Sequence, residues 1–355
     1  MRLTEGTTYD KAGDARVAMG RGAAPVERSA IVPRAGSILC ESVDPTTTGE
    51  STELGSPGGA GASPEGDPFV FGNESPADSW PARQTDRSGV PSLRRTTIVV
   101  PCFNEELRLE PEVFVAFVDI HRAIDFLFVN DGSRDGTAGV LEKTAARRPG
   151  RLRALHLAKN GGKAEAVRCG MIEAMTAENR PDAVGFWDAD LATPLDAIPA
   201  FIEVLAARPN IDMVFGSRVN LLGRRVRRQL LRHWFGRIFA TLASQMLRLP
   251  IYDTQCGAKL FRVNDELRKL IDRPFCSRWI FDVELIARLI RSRRGRPVLQ
   301  PEEVIVELPL LEWVDKKGSK LKSRDFLTVG GDLVRIWRRE MRGVPAPVRS
   351  RELDP

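Results

Sequence analysis

From Thr96 onward the sequence predicts an α/β domain with a mostly parallel sheet flanked by helices. Two observations carry that prediction. Short runs rich in β-branched and aromatic residues alternate with stretches of helical apolar period, at the spacing of strand–helix–strand units. Each run also ends in a cluster of polar residues, and open parallel sheets bind ligands at the carboxyl ends of their strands.

Taken in order, Thr96-Thr97-Ile98-Val99-Val100 is the first strand, stopped by Pro101. Phe126-Leu127-Phe128-Val129 is the second, stopped by Asn130-Asp131-Gly132, and Leu152 to Leu157 is the third. Lys159-Asn160-Gly161-Gly162-Lys163 then opens a helix of small residues, so free N–H groups and Lys163 are expected where an anion could bind, although a solvated loop lysine fits the same letters. Val184 to Trp187 is the fourth strand, ending at Asp188-Ala189-Asp190, and Asp212 to Gly216 is the fifth. The segment Arg218–Arg248 holds eight arginines and no acidic residue, with Leu231, Trp234, Phe235, Ile238, Leu242 and Met246 at helical spacing, which predicts one basic amphipathic helix. The ordered domain is expected over 96–315. Residues 316–342 combine basic side chains with Phe326, Leu327, Val334, Ile336 and Trp337 as a membrane-surface anchor would, and 343–355 are expected to be a flexible tail.

Residues 1–95 contain 13 of the 30 glycines and 9 of the 24 prolines and show no sustained apolar period. Such a segment cannot bury enough surface to offset its ordering entropy, and a disordered tail is expected there. It carries 10 Lys+Arg against 13 Asp+Glu, so the rest of the chain carries 43 against 34, and the partner of that part is expected to be anionic. Helix-turn-helix, zinc-finger and RNP patterns are absent, which sets nucleic acid aside. The five cysteines form no CxxC pair, no run approaches the roughly 18 apolar residues of a membrane span, and the first 20 residues lack a signal-peptide core. A reducing, cytoplasmic setting is expected, with any membrane contact peripheral.

Asp188-Ala189-Asp190 is the sharpest chemical signal. Residues two apart on a strand leave on the same side, so two carboxylates converge at a strand end, and hard cations such as Mg²⁺ or Mn²⁺ prefer such oxygen ligands. Taken alone, an acidic turn before Pro194 would explain the same letters, as an Asx-turn would explain Asp131. The neighbours change the balance. "VVPCFNEE", "VNDGSRDGT" and "FWDAD" occur in that order and spacing, and together they resemble the family 2 glycosyltransferases of GT-A fold. The segments Asp253 to Phe261, Arg278 to Leu285 and Gly318 to Leu321 look like those of polyprenyl-phosphate sugar synthases, dolichyl-phosphate β-glucosyltransferases first and the mannosyltransferases next.

The resemblance implies an inverting, metal-dependent enzyme that moves a hexose from a nucleotide sugar to a polyprenyl or dolichyl phosphate at an anionic membrane surface. It implies that Pro101, Glu105 and Asp131 line the nucleoside pocket, that Asp188 and Asp190 hold Mg²⁺ or Mn²⁺ on the diphosphate, and that Asp190 is thereby catalytic. Lys163 is expected near the nucleotide. Arg218, Arg228 and Arg232 are expected at donor or acceptor phosphate, Arg218 as a catalytic residue, and Asp282 is expected to be catalytic by positioning near the acceptor, although its place at a helix start would also explain an acid there. Ala192 stands where mannosyl enzymes commonly have glutamine, which favours UDP-glucose with GDP-mannose as the alternative. Phe103 and Asn130 depart from the family's usual tyrosine and aspartate. A small-molecule acceptor, or a nucleotide-sugar binding module without turnover, would fit the same motifs with no lipid dependence or no product.

Overall fold

The computed structural model describes residues 93–227, 230–314 and 325–347. The tail expected over 1–95 therefore lies outside the described residues except for Leu93, Arg94 and Arg95. There the backbone N–H groups of Arg94 and Arg95 donate to Asp182 Oδ2 at 2.7 and 3.1 Å, which fixes the entry into the first strand.

Thr96–Cys102 (β1) and Ile124–Asp131 (β2) are buried almost throughout, as central strands covered on both faces must be. Between them lies Pro111–Ile120 (α1), opened by a proline whose missing N–H costs nothing at that position. Thr137–Arg147 (α2), Leu152–Leu157 (β3), Lys163–Thr176 (α3), Ala183–Trp187 (β4), Ile198–Ala207 (α4) and Met213–Ser217 (β5) continue the alternation. Then come Arg225–Arg227 (β6), Leu230–Leu247 (α5), Ala258–Arg262 (β7), Asp265–Ile271 (α6), Phe281–Arg293 (α7), Pro301–Val304 (α8), Ile305–Pro309 (β8), Glu312–Val314 (β9) and Asp325–Ile336 (α9). A π-helical turn, Trp337–Met341, follows α9.

The main sheet runs β3-β2-β1-β4-β7-β5-β8, parallel except for β7, which is antiparallel to both of its neighbours. All five strands expected from the sequence are present. β7 was not expected as a strand because Lys259 interrupts its apolar run. Strand side chains alternate, so each strand feeds two cores. Ile98, Val100, Phe126, Phe128 and Trp187 pack with Phe114 of α1 and Phe201 of α4. Val99, Leu127, Val129, Val184 and Phe186 pack with α3, α5, α6 and α7 on the other face.

The helix read from Leu231, Trp234, Phe235, Ile238, Leu242 and Met246 is α5, but it does not extend over the first part of the acid-free segment Arg218–Arg248. Leu221 to Arg224 form a turn (Arg224 N donates to Leu221 O at 3.1 Å) in which Gly223 adopts φ +79°, a left-handed value that stops a helix. β6 then pairs in parallel with β9 before α5 begins. The described residues that follow 324 pack on the domain's core. Ile336 and Met341 are buried in the core that α7 forms, Arg273 donates to the buried Glu340 at 2.6 Å, and Val344 of the expected tail packs against the same core. Residues 315–324, which carry part of the expected anchor, and residues 348–355 lie outside the described residues. Among the described residues no helix is long and apolar enough to cross a membrane.

Candidate active site

The loops that follow β1 and β2 are zipped together by side chain to backbone bonds. Asn104 Oδ1 accepts from Arg134 N at 2.9 Å, Ser133 Oγ accepts from Asn104 N at 3.0 Å, and Thr137 Oγ1 accepts from Glu105 N at 2.8 Å. Asn104 sits at φ 50°, a region asparagine tolerates better than most residues. The result buries Glu105 and sets its carboxylate 3.5 Å from Arg108 Nε; Pro101, at the end of β1, is half-buried. Asn130 Oδ1 accepts from Ser133 N at 3.1 Å while its Nδ2 lies 3.1 Å from His156 Nδ1, and His156 Nε2 lies 2.7 Å from Glu142 Oε1.

Asp131 is buried under the loop that opens α3. Its Oδ1 accepts from Gly161 N at 2.7 Å, and its Oδ2 accepts from Gly162 N and Asn160 Nδ2, both at 2.9 Å. Burial pushes its pKa above the ordinary carboxylate value, and the two backbone donors only partly oppose this. The N–H groups expected to be free at the start of α3 are thus engaged by the protein's own carboxylate. Arg278 closes the same corner through Asn160 Oδ1, and its carbonyl accepts from Ala164 N at 3.2 Å.

Asp188 and Asp190 leave the end of β4 on either side of the buried Ala189. Lys163 Nζ lies 2.5 Å from Asp188 Oδ1, so the lysine expected at the helix start reaches the acidic pair instead. Asp190 Oδ1 accepts from Ala192 N at 3.0 Å, and its Oδ2 lies 3.9 Å from Arg108 Nη2. Burial and then the Asp188 charge hold the pKa of Asp190 up. Gly257 makes this arrangement possible: its carbonyl accepts from Asp188 N at 3.0 Å, and a Cβ there would stand 1.8 Å from Asp188 Oδ2.

Beneath the pair lies a second one that sequence reasoning half missed. Asp282, the second residue of α7, is buried and ion-paired at 2.9 Å with the wholly buried Lys259 of β7. Lys259 Nζ also donates to Thr254 O at 2.9 Å and Cys256 O at 2.6 Å, and it sits over the rings of Phe186 and Phe215. Asp188, Lys163, Asp282 and Lys259 thus form an alternating series of charges. Burial would lower the pKa of Lys163, but Asp188, Asp282 and Asp190 outweigh it, and the ammonium is held charged. Glu284, two residues on, turns away to Arg288 at 2.7 Å and Cys276 N at 2.7 Å, a structural role.

Arg218 follows β5 at its carboxyl end. Its Nε and Nη2 donate to the two oxygens of Asp253 at 2.7 and 2.8 Å, and its guanidinium stacks 5.3 Å from the Trp313 ring. Asp253 and Tyr252 in turn donate their N–H groups to Glu307 at 2.8 and 2.7 Å. Lys259 carried a readable signal, a lysine inside an apolar strand. Arg108, Asp253 and Glu307 meet the site only through the fold. Arg228 and the Arg232 side chain lie outside the described residues.

Asp188 and Asp190 offer hard, partly exposed oxygens, and a pair suffices for Mg²⁺ or Mn²⁺, which take one or two carboxylates together with substrate phosphates. Among the described residues no group of three or more metal-ligating side chains occurs. The donor set therefore fits a cation shared with a bound diphosphate rather than one caged by protein alone.

Residues 97–267 match the family model Glycosyl transferase family 2. Dolichyl-phosphate beta-glucosyltransferase of Drosophila melanogaster is 33% identical over 272 residues, 71% of this chain and 77% of that protein. Dolichyl-phosphate beta-glucosyltransferase ALG5C of Trichomonas vaginalis is 32% identical over 259 residues, 69% and 72% of the two chains. Among solved structures, glucosyl-3-phosphoglycerate synthase from Mycobacterium tuberculosis, in complex with Mn²⁺ and UDP-glucose, shares the fold at a TM-score of 0.50 and 18% identity over 71% of this chain and 80% of that one. The chain belongs to the family 2 glycosyltransferases, with a GT-A-type sheet, and it is matched across several species by dolichyl-phosphate β-glucosyltransferases.

Proposed function

We propose that this glycosyltransferase moves glucose from UDP-glucose to a dolichyl or polyprenyl phosphate, with inversion at the anomeric carbon. The observation that carries the proposal is the Asp188/Asp190 pair at the end of β4 with Lys163 against it. This is a site for a divalent cation and a diphosphate, in a chain whose relatives are named for dolichyl-phosphate glucosylation. When bound, the cation would neutralise charge building on the departing nucleoside diphosphate. The protein's own groups supply the rest. Lys163, held charged by three carboxylates, adds a fixed positive charge beside the diphosphate. Asp131, Glu105 and Pro101 line the nucleoside end, where the zipped loops fix their positions. Arg218, oriented by its two hydrogen bonds to Asp253, would be the preorganised cation for a phosphate.

The nucleophile is an oxygen of the acceptor phosphate. A phosphate monoester is largely ionised near neutral pH, its second pKa being about 6, so attack does not need a strong general base. Asp282 is tied to Lys259 and faces Lys163, and it positions the ammonium rather than taking a proton.

The test is incubation of the purified chain with Mg²⁺ or Mn²⁺, a polyprenyl phosphate and radiolabelled UDP-glucose or GDP-mannose, counting label that enters organic solvent. Label from UDP-glucose, lost in Asp190→Asn, is the expected result. Label from GDP-mannose alone would replace the sugar, and donor consumption without organic-phase label would replace the acceptor.

A further inference from the structure

Four of the large exposed apolar side chains, Leu221, Leu222, Ile238 and Leu242, lie in the acid-free segment Arg218–Arg248. Leu222 is fully exposed and Leu221 47% exposed at the turn closed by Gly223. Arg225 N donates to Leu311 O at 2.9 Å, which brings Leu311, 72% exposed, to the same end of the β6–β9 ribbon. α5 then exposes Ile238 and Leu242, one helical turn apart, while burying Ala240, Ala243 and Leu247. Single exposed leucines are ordinary, but these stand within or against Arg218–Arg248, with eight arginines and no acid. Arg224 and the exposed Arg225 flank the leucines, and Glu312 stands opposite Arg225 in the ribbon.

The ribbon is also fastened to the reaction site. Val314 N donates to Ala192 O at 3.0 Å, two residues beyond Asp190, and Trp313 carries the Arg218 guanidinium on its ring at 5.3 Å. Exposed leucines with guanidinium groups beside them match an anionic lipid surface, where apolar side chains enter the acyl boundary and cations stay at the headgroups. We infer that the Leu221–Leu222 turn, with Leu311 and flanking Arg224 and Arg225, is a bilayer-docking edge that seats an anionic membrane beside the Asp188/Asp190 site. The inference rests on the lipid-phosphate reading of that site and names the surface that delivers the acceptor.

The experiment is sedimentation of the full chain with phosphatidylcholine vesicles, with and without phosphatidylglycerol. The proteins compared are the wild type, Leu221→Ser/Leu222→Ser, Arg224→Gln/Arg225→Gln, and, as a comparator, the exposed pair changed in Val298→Ser/Leu299→Ser. The leucine variant is expected to lose about tenfold or more in vesicle affinity. The arginine variant is expected to lose the preference for anionic vesicles, and the comparator to bind as wild type. Equal binding by wild type and the leucine variant, or a leucine variant that changes oligomeric mass while vesicle binding is unaltered, would overturn the inference. Transfer to a short-chain polyprenyl phosphate in detergent separates the two readings. The leucine variant should keep the wild-type rate there, whereas a wild type that forms no product would refute the proposed reaction while the sedimentation still decides the docking edge.

Discussion

Lys259 is wholly buried, and its replacement by methionine isolates what one cation contributes to this site. The ammonium serves Thr254 O at 2.9 Å, Cys256 O at 2.6 Å and Asp282 at 2.9 Å. Methionine keeps the length and the contacts with Phe186 and Phe215 but leaves two carbonyls without a donor and a buried carboxylate with only Lys163 for counter-charge. Removing one partner of a buried ion pair costs about 3–5 kcal/mol. The orphaned carbonyls are part of the same loss, so about 4 kcal/mol is the expected total, read from urea denaturation followed by tryptophan fluorescence. Asp282→Asn should cost less, because Lys259 retains both carbonyls and the amide oxygen. The double variant should be more stable than the sum of the single losses allows, by about 1–3 kcal/mol, since the neutral amide no longer needs the missing charge. A cost below about 1 kcal/mol for Lys259→Met, or strict additivity in the cycle, would refute this account of the pair.

Gly257→Ala forces Asp188 away from a Cβ that would stand 1.8 Å from its Oδ2. A displacement of that size should lower kcat about 100-fold with circular dichroism unchanged, and near-normal turnover would show that the carboxylate does not need its present position. The pKa of Asp131 is raised by burial, so the unfolded chain gives up this proton first. Its contribution to stability is full below the ordinary carboxylate pKa and declines as pH rises through the raised value. The stability deficit of Asp131→Asn relative to wild type should therefore shrink as pH rises through that window, and a growing deficit would reverse the assignment. Burial and Asp253 push the Cys256 thiol up to about 11, and burial with Glu284 pushes Cys276 up to about 12. Both are then at most about 0.1% thiolate at pH 8, and iodoacetamide should label neither in the native protein within minutes, as peptide mass mapping would show.

The motif positions and the strands that carry them were legible in the sequence because strand ends are local events. A β-branched run, a proline or an aspartate–glycine pair, and carboxylates two apart are each set by neighbours in the chain. Two local readings failed for want of tertiary context. The arginine-rich segment had helical spacing from Leu231 to Met246, where α5 forms, but the pairing of β6 with β9, some 87 residues on, took its first part into a ribbon. The helix start after Gly162 carried an anion-site pattern, but the anion that occupies it is Asp131, brought there from β2. The ion pair of Lys259 with Asp282, the hold of Asp253 on Arg218 and the reach of Lys163 to Asp188 likewise join residues from separate elements. By itself the sequence determined the α/β class, the order of the strands along the chain and which carboxylates end them. Only the tertiary structure decided which charge faces which, because pairing energies depend on distances and burial that arise when separate strands and helices are packed together.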